Sequence, residues 1–255
     1  MHLAYKKTGN GQPLVILHGL FGMSDNWMTI GKNLADDFTV YLVDQRNHGQ
    51  SPHAAEFSYP VLAEDLYDFC TQHRLNGFHL LGHSMGGKTA LLYAEKYPQT
   101  VHKLIVADMA LRSYDHPHFR SFLEALLSID PDVLKSRADA DARLSEKIPQ
   151  LRIRQFLLKN LYRTPQNQFK WRINLQSIAQ NFDHIVGGLH LKSPFPGPVL
   201  FLRGDQSDYI NDHDIKEIMS VFPQAEISTI AGAGHWLHVE APDKFLEIVR
   251  KFLAK

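Results

Sequence analysis

The 255-residue chain is 44% hydrophobic and 21% charged. A chain of this size buries roughly three quarters of its unfolded surface, enough for one domain with a small insertion. Lys+Arg and Asp+Glu both number 27, so the net charge is zero, which argues against a nucleic-acid partner and against a charged tail.

The lone cysteine, Cys70, excludes an internal disulfide and fits a reducing compartment. It lies in an apolar-periodic stretch, Val61–Arg74, where it reads as a core thiol. Residues Met1 to Gly9 hold no apolar signal core, and no apolar run approaches ~18 residues. The expectation is a cytoplasmic protein without a membrane anchor, monomeric or homodimeric.

The first continuous apolar run, Pro13–His18, leads into His18-Gly19-Leu20-Phe21-Gly22. Asp25–Asp36 has helical character. A second run, Phe38–Asp44, opens the polar turn Asp44-Gln45-Arg46-Asn47-His48-Gly49-Gln50-Ser51, whose residues suit loop bracing. Tyr59–Arg74 reads as a helix. A third run, Phe78–Gly82, enters Gly82-His83-Ser84-Met85-Gly86, and a helix follows over Met85–Tyr97. Lys103–Asp108 is the fourth run. Then the alternation stops. Phe119–Ile129, Pro131–Arg137, Ala140–Lys147, Gln150–Leu161 and Phe169–Phe182 are all helix-like, with no strand predicted, up to the rigid stretch Ser193-Pro194-Phe195-Pro196-Gly197-Pro198. Val199–Gly204 resumes the strands, followed by a helix at Asp212–Val221, a weaker strand at Glu226–Ile230 and a helix at Pro242–Leu253.

Continuous rather than alternating apolar runs predict strands buried on both faces of a parallel sheet. Their alternation with helices predicts an α/β fold with a doubly wound, mostly parallel sheet. Residues 1–110 and 198–255 form the predicted core. Residues 111–197 form a predicted helical cap, inserted late in the sheet and lying over the strand ends, where such folds carry function.

Gly82-His83-Ser84-Met85-Gly86, with a strand before it and a helix after it, is a nucleophile-elbow sequence. Ser84 is the candidate nucleophile. It needs a base and a group to orient that base. His235 follows the last strand on the Gly-rich loop Ala231-Gly232-Ala233-Gly234 and is the candidate base. The acid is Asp108, at the end of the fourth run, or Asp208, after the fifth; Asp108 is preferred. The Met85 N–H sits at a helix start, and the Leu20 N–H follows the His18-Gly19 pair, so these two amides form the candidate oxyanion hole. His18 and His238 read as structural. His116-Pro117-His118 is too sparse for a metal site, and no cofactor is called for.

Together these motifs resemble the α/β-hydrolase superfamily. Within it the chain is similar to small YbfF-type esterases and to α/β-hydrolase-domain-containing protein eleven. The Arg46-Asn47-His48-Gly49 turn and Lys88 after the elbow carry the narrower likeness. The resemblance implies a serine hydrolase acting on carboxylic esters, short- to medium-chain acyl esters among them; the apolar pocket side chains suggest an apolar acyl group, and the mechanism needs no cofactor. It also supports an acid on the Asp108 loop, although Met109-Ala110-Leu111 departs from the family's usual continuation there. Many relatives carry the acid three residues after the glycine of the next loop; that position is Ser207 here, with Asp208 one residue out of step. Thioester hydrolysis, C–C bond hydrolysis or perhydrolysis on the same residues are the alternatives, and a hydrolase-like receptor is a minor one. Arg152, Arg154, Arg163 and Arg172 read as a solvated helix face rather than as contacts to an anionic leaving group.

Overall fold

The computed structural model describes residues 1–114 and 117–255, apart from the side chains of residues 117 and 118. Seven strands form one sheet: β1 (Tyr5–Thr8), β2 (Gln12–Leu17), β3 (Phe38–Val43), β4 (Phe78–His83), β5 (Val101–Ala107), β8 (Val199–Gly204) and β9 (Glu226–Ile230). A separate two-stranded pair, β6 (Leu161–Arg163) and β7 (Phe169–Trp171), lies between β5 and β8 in the chain. The sheet order is β1-β3-β2-β4-β5-β8-β9. All its pairings are parallel except β1 with β3.

The apolar runs explain the layering. Side chains alternate across a strand, so neighbours in one run face opposite layers. Val15, Leu17, Leu80, Leu104 and Val106 share one buried cluster with Leu66, Phe69 and Leu91. Leu14, Ile16, Leu81, Ile105 and Leu202 share the other with Ile30, Leu34, Phe245 and Val249. The first layer is carried by α2 (Tyr59–Gln72) and α3 (Met85–Lys96), and the second by α1 (Met28–Leu34) and the C-terminal helix Pro242–Ala254. Cys70 lies inside the first cluster, 2% exposed, and burial pushes its thiol up to about 12.

Between β5 and β8 the chain leaves the sheet. It forms α4 (Pro117–Leu127), α5 (Arg137–Ser145), α6 (Leu151–Leu158), the β6–β7 pair, α7 (Leu175–Gln180) and α8 (Phe182–Val186). Their apolar faces share a third cluster with Phe21, Phe57, Tyr59 and Met85 of the sheet loops. The outgoing and returning stretches are tied together: the Tyr114 N–H donates to Val186 O, and the Leu189 N–H to Leu111 O, both at 2.7 Å. After β8 come α9 (Asp212–Val221), α10 (Leu237–Glu240) and α11 (Pro242–Ala254).

Several expectations need correction. The edge strand β1 was not anticipated; Lys6 and Lys7 break its apolar character, as suits a strand at the rim of a sheet. The stretch from 111 to 197 is not wholly helical, because β6 and β7 pair around a turn containing Asn167 at φ +64°. Of Pro131–Arg137, only a single 3₁₀ turn at Pro131–Val133 forms. The predicted helix Phe169–Phe182 is divided into β7 and α7, with Asn174 capping α7 through the Ser177 N–H.

Candidate active site

The turn at Ser84 is possible because the residues two positions to either side, Gly82 and Gly86, lack side chains. Ser84 has φ +54° and ψ −123°, a strained backbone for an L residue. A Cβ on Gly82 would lie 2.1 Å from Gly86 O, and one on Gly86 would lie 2.5 Å from Leu17 O. Only glycine allows strand and helix to approach this closely. The Ser84 N–H donates to Ala107 O at 3.0 Å, which fixes the turn against β5.

Leu20, Ser84 and Met85 line one narrow cavity. The Leu20 loop closes through the Gly22 N–H donating to Gly19 O at 2.9 Å, with Phe21 at φ +62°. Buried imidazoles brace it. His18 Nδ1 donates to Gly19 O at 2.9 Å, and its Nε2 accepts from the Gln45 N–H at 3.0 Å. His48 Nδ1 donates to Arg46 O, and its Nε2 accepts from the Phe21 N–H at 3.3 Å. Burial lowers His18 to about 4 and His48 to about 3, so both rings stay neutral at physiological pH. His238 lies on the short helix α10 and stacks on Trp27, with centroids 3.9 Å apart; burial also drives its pKa down.

His235 reaches the site from the loop after β9. Gly232, at φ +74°, turns that loop, and its N–H donates to Asp205 Oδ1 at 2.7 Å. The Gly234 N–H donates to the Glu240 carboxylate. His235 O accepts from His83 Nε2 at 2.8 Å. The imidazole and Ser84 line the same cleft, together with Phe156 and Trp236.

Asp108 meets the imidazole: His235 Nδ1 donates to Asp108 Oδ2 at 2.8 Å. Asp108 is fully buried and adopts φ +49° despite its atypical neighbours Met109 and Ala110. Burial pushes its carboxyl up to about 6, against the opposing pull of hydrogen bonds from the Ser207 hydroxyl and the Gly204 N–H. Asp208 behaves differently. Its backbone carbonyl accepts from Arg112 Nη2 at 2.9 Å, and among the described residues nothing joins its carboxylate to His235.

Sequence reasoning passed over two neighbours of this pair. Ser207, set aside because it carries no charge, donates its hydroxyl to Asp108; its spacing from Gly204 was the available signal. Tyr209 stacks on His235 with centroids 3.6 Å apart, and nothing in its local sequence announces this. Of the four arginines considered, only Arg152 lines a cavity beside the cleft, and it pairs with Glu240 at 3.2 Å. Arg154 instead pairs with Asp141 and donates to Ile148 O and Pro149 O. The side chains of His116, Pro117 and His118 lie outside the described residues. Among the described residues no helix is long and apolar enough to cross a membrane.

Comparison with known proteins agrees with this architecture. A mouse protein named sn-1-specific diacylglycerol lipase ABHD11 is 39% identical over 248 residues, covering 94% of this chain and 80% of its own length. Esterase YbfF of Escherichia coli is 32% identical, covering 96% of this chain and 94% of its own. A solved marine microorganism esterase superposes with a TM-score of 0.95 at 45% identity, with 98% of each chain covered. E-2-(acetamidomethylene)succinate hydrolase, at 20% identity and a TM-score of 0.83, shares the fold alone. A sequence model of the alpha/beta hydrolase fold matches residues 12–148. With its sheet order, its elbow and these relatives, the chain belongs to the α/β-hydrolase family.

Proposed function

We propose that this protein hydrolyses carboxylic esters through an acyl-enzyme formed on Ser84. His235 takes the hydroxyl proton as Ser84 Oγ attacks the carbonyl carbon. The Leu20 and Met85 N–H groups receive the oxyanion. His235, now protonated, gives its proton to the leaving alcohol. Water then enters, loses a proton to the same imidazole and releases the acid. Asp108 holds the Nδ1–H tautomer throughout and faces the imidazolium as it forms. The observation carrying this reading is the 2.8 Å bond from His235 to buried Asp108, on a cleft that Ser84 shares. The names of the mouse, bacterial and marine relatives support the reaction class.

The two sides of Ser84 suggest how a substrate lies. His235 lines the cleft and is not among the residues lining the narrow cavity. The group that protonates the leaving oxygen must touch it, so the alcohol occupies the cleft. The acyl group then enters the cavity walled by Leu20, Tyr59, Met109, Ile185, Tyr114 and Tyr209, which offers about 30 Å³ of free space. The substrate is a small-molecule ester whose apolar acyl group is short. The reading invokes no cofactor or metal.

The test is Ser84→Ala assayed on p-nitrophenyl acetate and butyrate. Turnover should fall by at least about 10³-fold, and a fluorophosphonate probe should label the parent protein and spare the variant. Activity retained in Ser84→Ala overturns the mechanism.

A further inference from the structure

Asp108 grips the His235 imidazole at one atom, Nδ1. A hydrogen bond fixes where one ring atom lies but not the plane of the ring. A second contact addresses that plane. The Tyr209 ring lies on the imidazole with centroids 3.6 Å apart and planes 17° apart. Tyr114 stacks on Tyr209 in turn, at 5.0 Å and 19°. The Arg112 guanidinium lies 4.2 Å from the Tyr114 ring centre. A cation, two phenols and the imidazole therefore stand in a row.

The row is fastened along its length. The Tyr114 hydroxyl donates to Tyr209 O at 2.5 Å and accepts from the Ala110 N–H at 2.7 Å. Arg112 pairs with buried Asp214 through Nε, at 3.0 and 3.2 Å. Lys88, fully buried in the first turns of α3, donates to Arg112 O at 2.7 Å and to Gly187 O at 2.5 Å. Its ammonium also faces the Tyr114 and Tyr59 rings, at 4.9 and 5.7 Å. One lysine thus ties the outgoing and returning stretches of the β5–β8 connection to α3, the helix that follows Ser84.

We propose that Tyr209 is a positioning residue for the His235 imidazole, held in place by Tyr114, Arg112 and Lys88. This rests on the reading of His235 as the base. The face contact keeps the ring pointed at Ser84 while Asp108 fixes its tautomer. It also meets the imidazolium with the electron-rich face of a phenol, an attraction that exists only after the proton has moved. His83 covers another side of the ring, with centroids 4.7 Å apart. The row couples the seating of the β5–β8 connection to the aim of the base. None of its members forms or breaks a bond.

The experiment compares Tyr209→Leu with Tyr209→Phe on p-nitrophenyl acetate and butyrate. The leucine variant keeps bulk and loses the flat face; the phenylalanine variant keeps the face. Tyr209→Leu should lower kcat about tenfold, with KM held within about twofold and the same factor on both esters. Tyr209→Phe should recover most of that loss. Equal rates for the two variants overturn the proposal. So does a loss that differs between acetate and butyrate, since Tyr209 also walls the acyl cavity and that difference would trace the loss to the wall. If Tyr209→Leu melts below the assay temperature, Tyr114→Phe supplies the measurement. It keeps the ring and removes the bond to Tyr209 O, and kcat should fall about threefold at constant KM; an unchanged kcat overturns the proposal. Ser84→Ala is run alongside. An active Ser84→Ala sinks the hydrolytic reading itself, whereas an inactive one beside a fully active Tyr209→Leu sinks only the role of Tyr209.

Discussion

The loops at the carboxyl edge of the sheet and the segment between β5 and β8 are held by different forces. In the loops, buried polar side chains bond to named backbone atoms. Asp44 accepts the Ser24 N–H at 2.6 Å and the Gln50 N–H at 2.9 Å. Arg46 forks onto Asp65. In the segment, Leu126, Leu144, Leu157 and Ile178 pack as an apolar cluster. Polar ties inside it fasten helix ends, as where Arg154 bonds to Asp141, Ile148 O and Pro149 O and Arg137 donates to Leu158 O and Leu161 O, and others cross the seam to the loops: Asn47 Nδ2 to Ser177 Oγ at 2.9 Å, Asn160 Nδ2 to Phe21 O at 2.8 Å and Tyr59 hydroxyl to Ile185 O at 2.7 Å. Directional bonds demand one residue type at one position. Apolar packing demands volume, and several residues supply it.

Exchanging near-isosteres in each region probes that contrast. The largest effect belongs to Asp108→Asn. An amide beside Nδ1 imposes the wrong tautomer, and kcat/KM should fall about 10³–10⁴-fold. Asp208→Asn, as the control, should stay within about twofold. In the parent protein, kcat/KM should fall as acid carries Asp108 through its pKa of about 6. Stability runs the other way. Burial raises this carboxyl above its unfolded value, so the fold favours the protonated form. That contribution is fully present below about pH 4 and is lost as pH rises through about 6. Asp108→Asn removes a charge whose burial costs up to about 3 kcal/mol at pH 8. Thermal melting should therefore find the inactive variant at least as stable as the parent there. A marked loss of stability would mean that the carboxylate is a structural tie first.

The next largest effect is Asp44→Asn. One acceptor oxygen becomes an amide that points N–H at N–H. Urea unfolding should show a loss of about 2–3 kcal/mol, with slower turnover, because the loop holding Leu20 rests on this turn. Leu144→Met, a swap of similar volume in the segment, should cost under about 1.5 kcal/mol and leave kcat unchanged. Equal costs at Asp44 and Leu144 would erase the distinction between the two regions.

The same distinction explains what could be read from the sequence. The strands β2, β3, β4, β5 and β8 are visible because burial on both faces leaves uninterrupted apolar runs, whereas β9, at the sheet edge and mostly unburied, leaves a weaker one. The elbow is visible because steric exclusion at Gly82 and Gly86 leaves a written mark. Asp108 and His235, 127 residues apart in sequence, were reachable because each follows a strand end and the fold gathers strand ends. β1 was missed because one pairing partner and two lysines make a weak pattern. The β6–β7 pair was missed because three-residue strands are too short to show a period against helical surroundings. Ser207 was discounted because charge was the criterion, whereas its hydroxyl bonds to Asp108 and not to the imidazole. Tyr209 acts through the face of a ring, and no spacing rule encodes which way a ring will lie.

Cys70 has a practical meaning for work on this protein. Its thiol is sealed on the buried face of α2 and held far from ionisation, so it is silent toward maleimides while the fold is closed. A cysteine engineered onto α6 or the Leu20 loop would be the sole reactive sulfur on the surface. Fluorophores or spin labels could then be attached at one chosen point without altering the native core, and the mobility of that point could be followed during turnover.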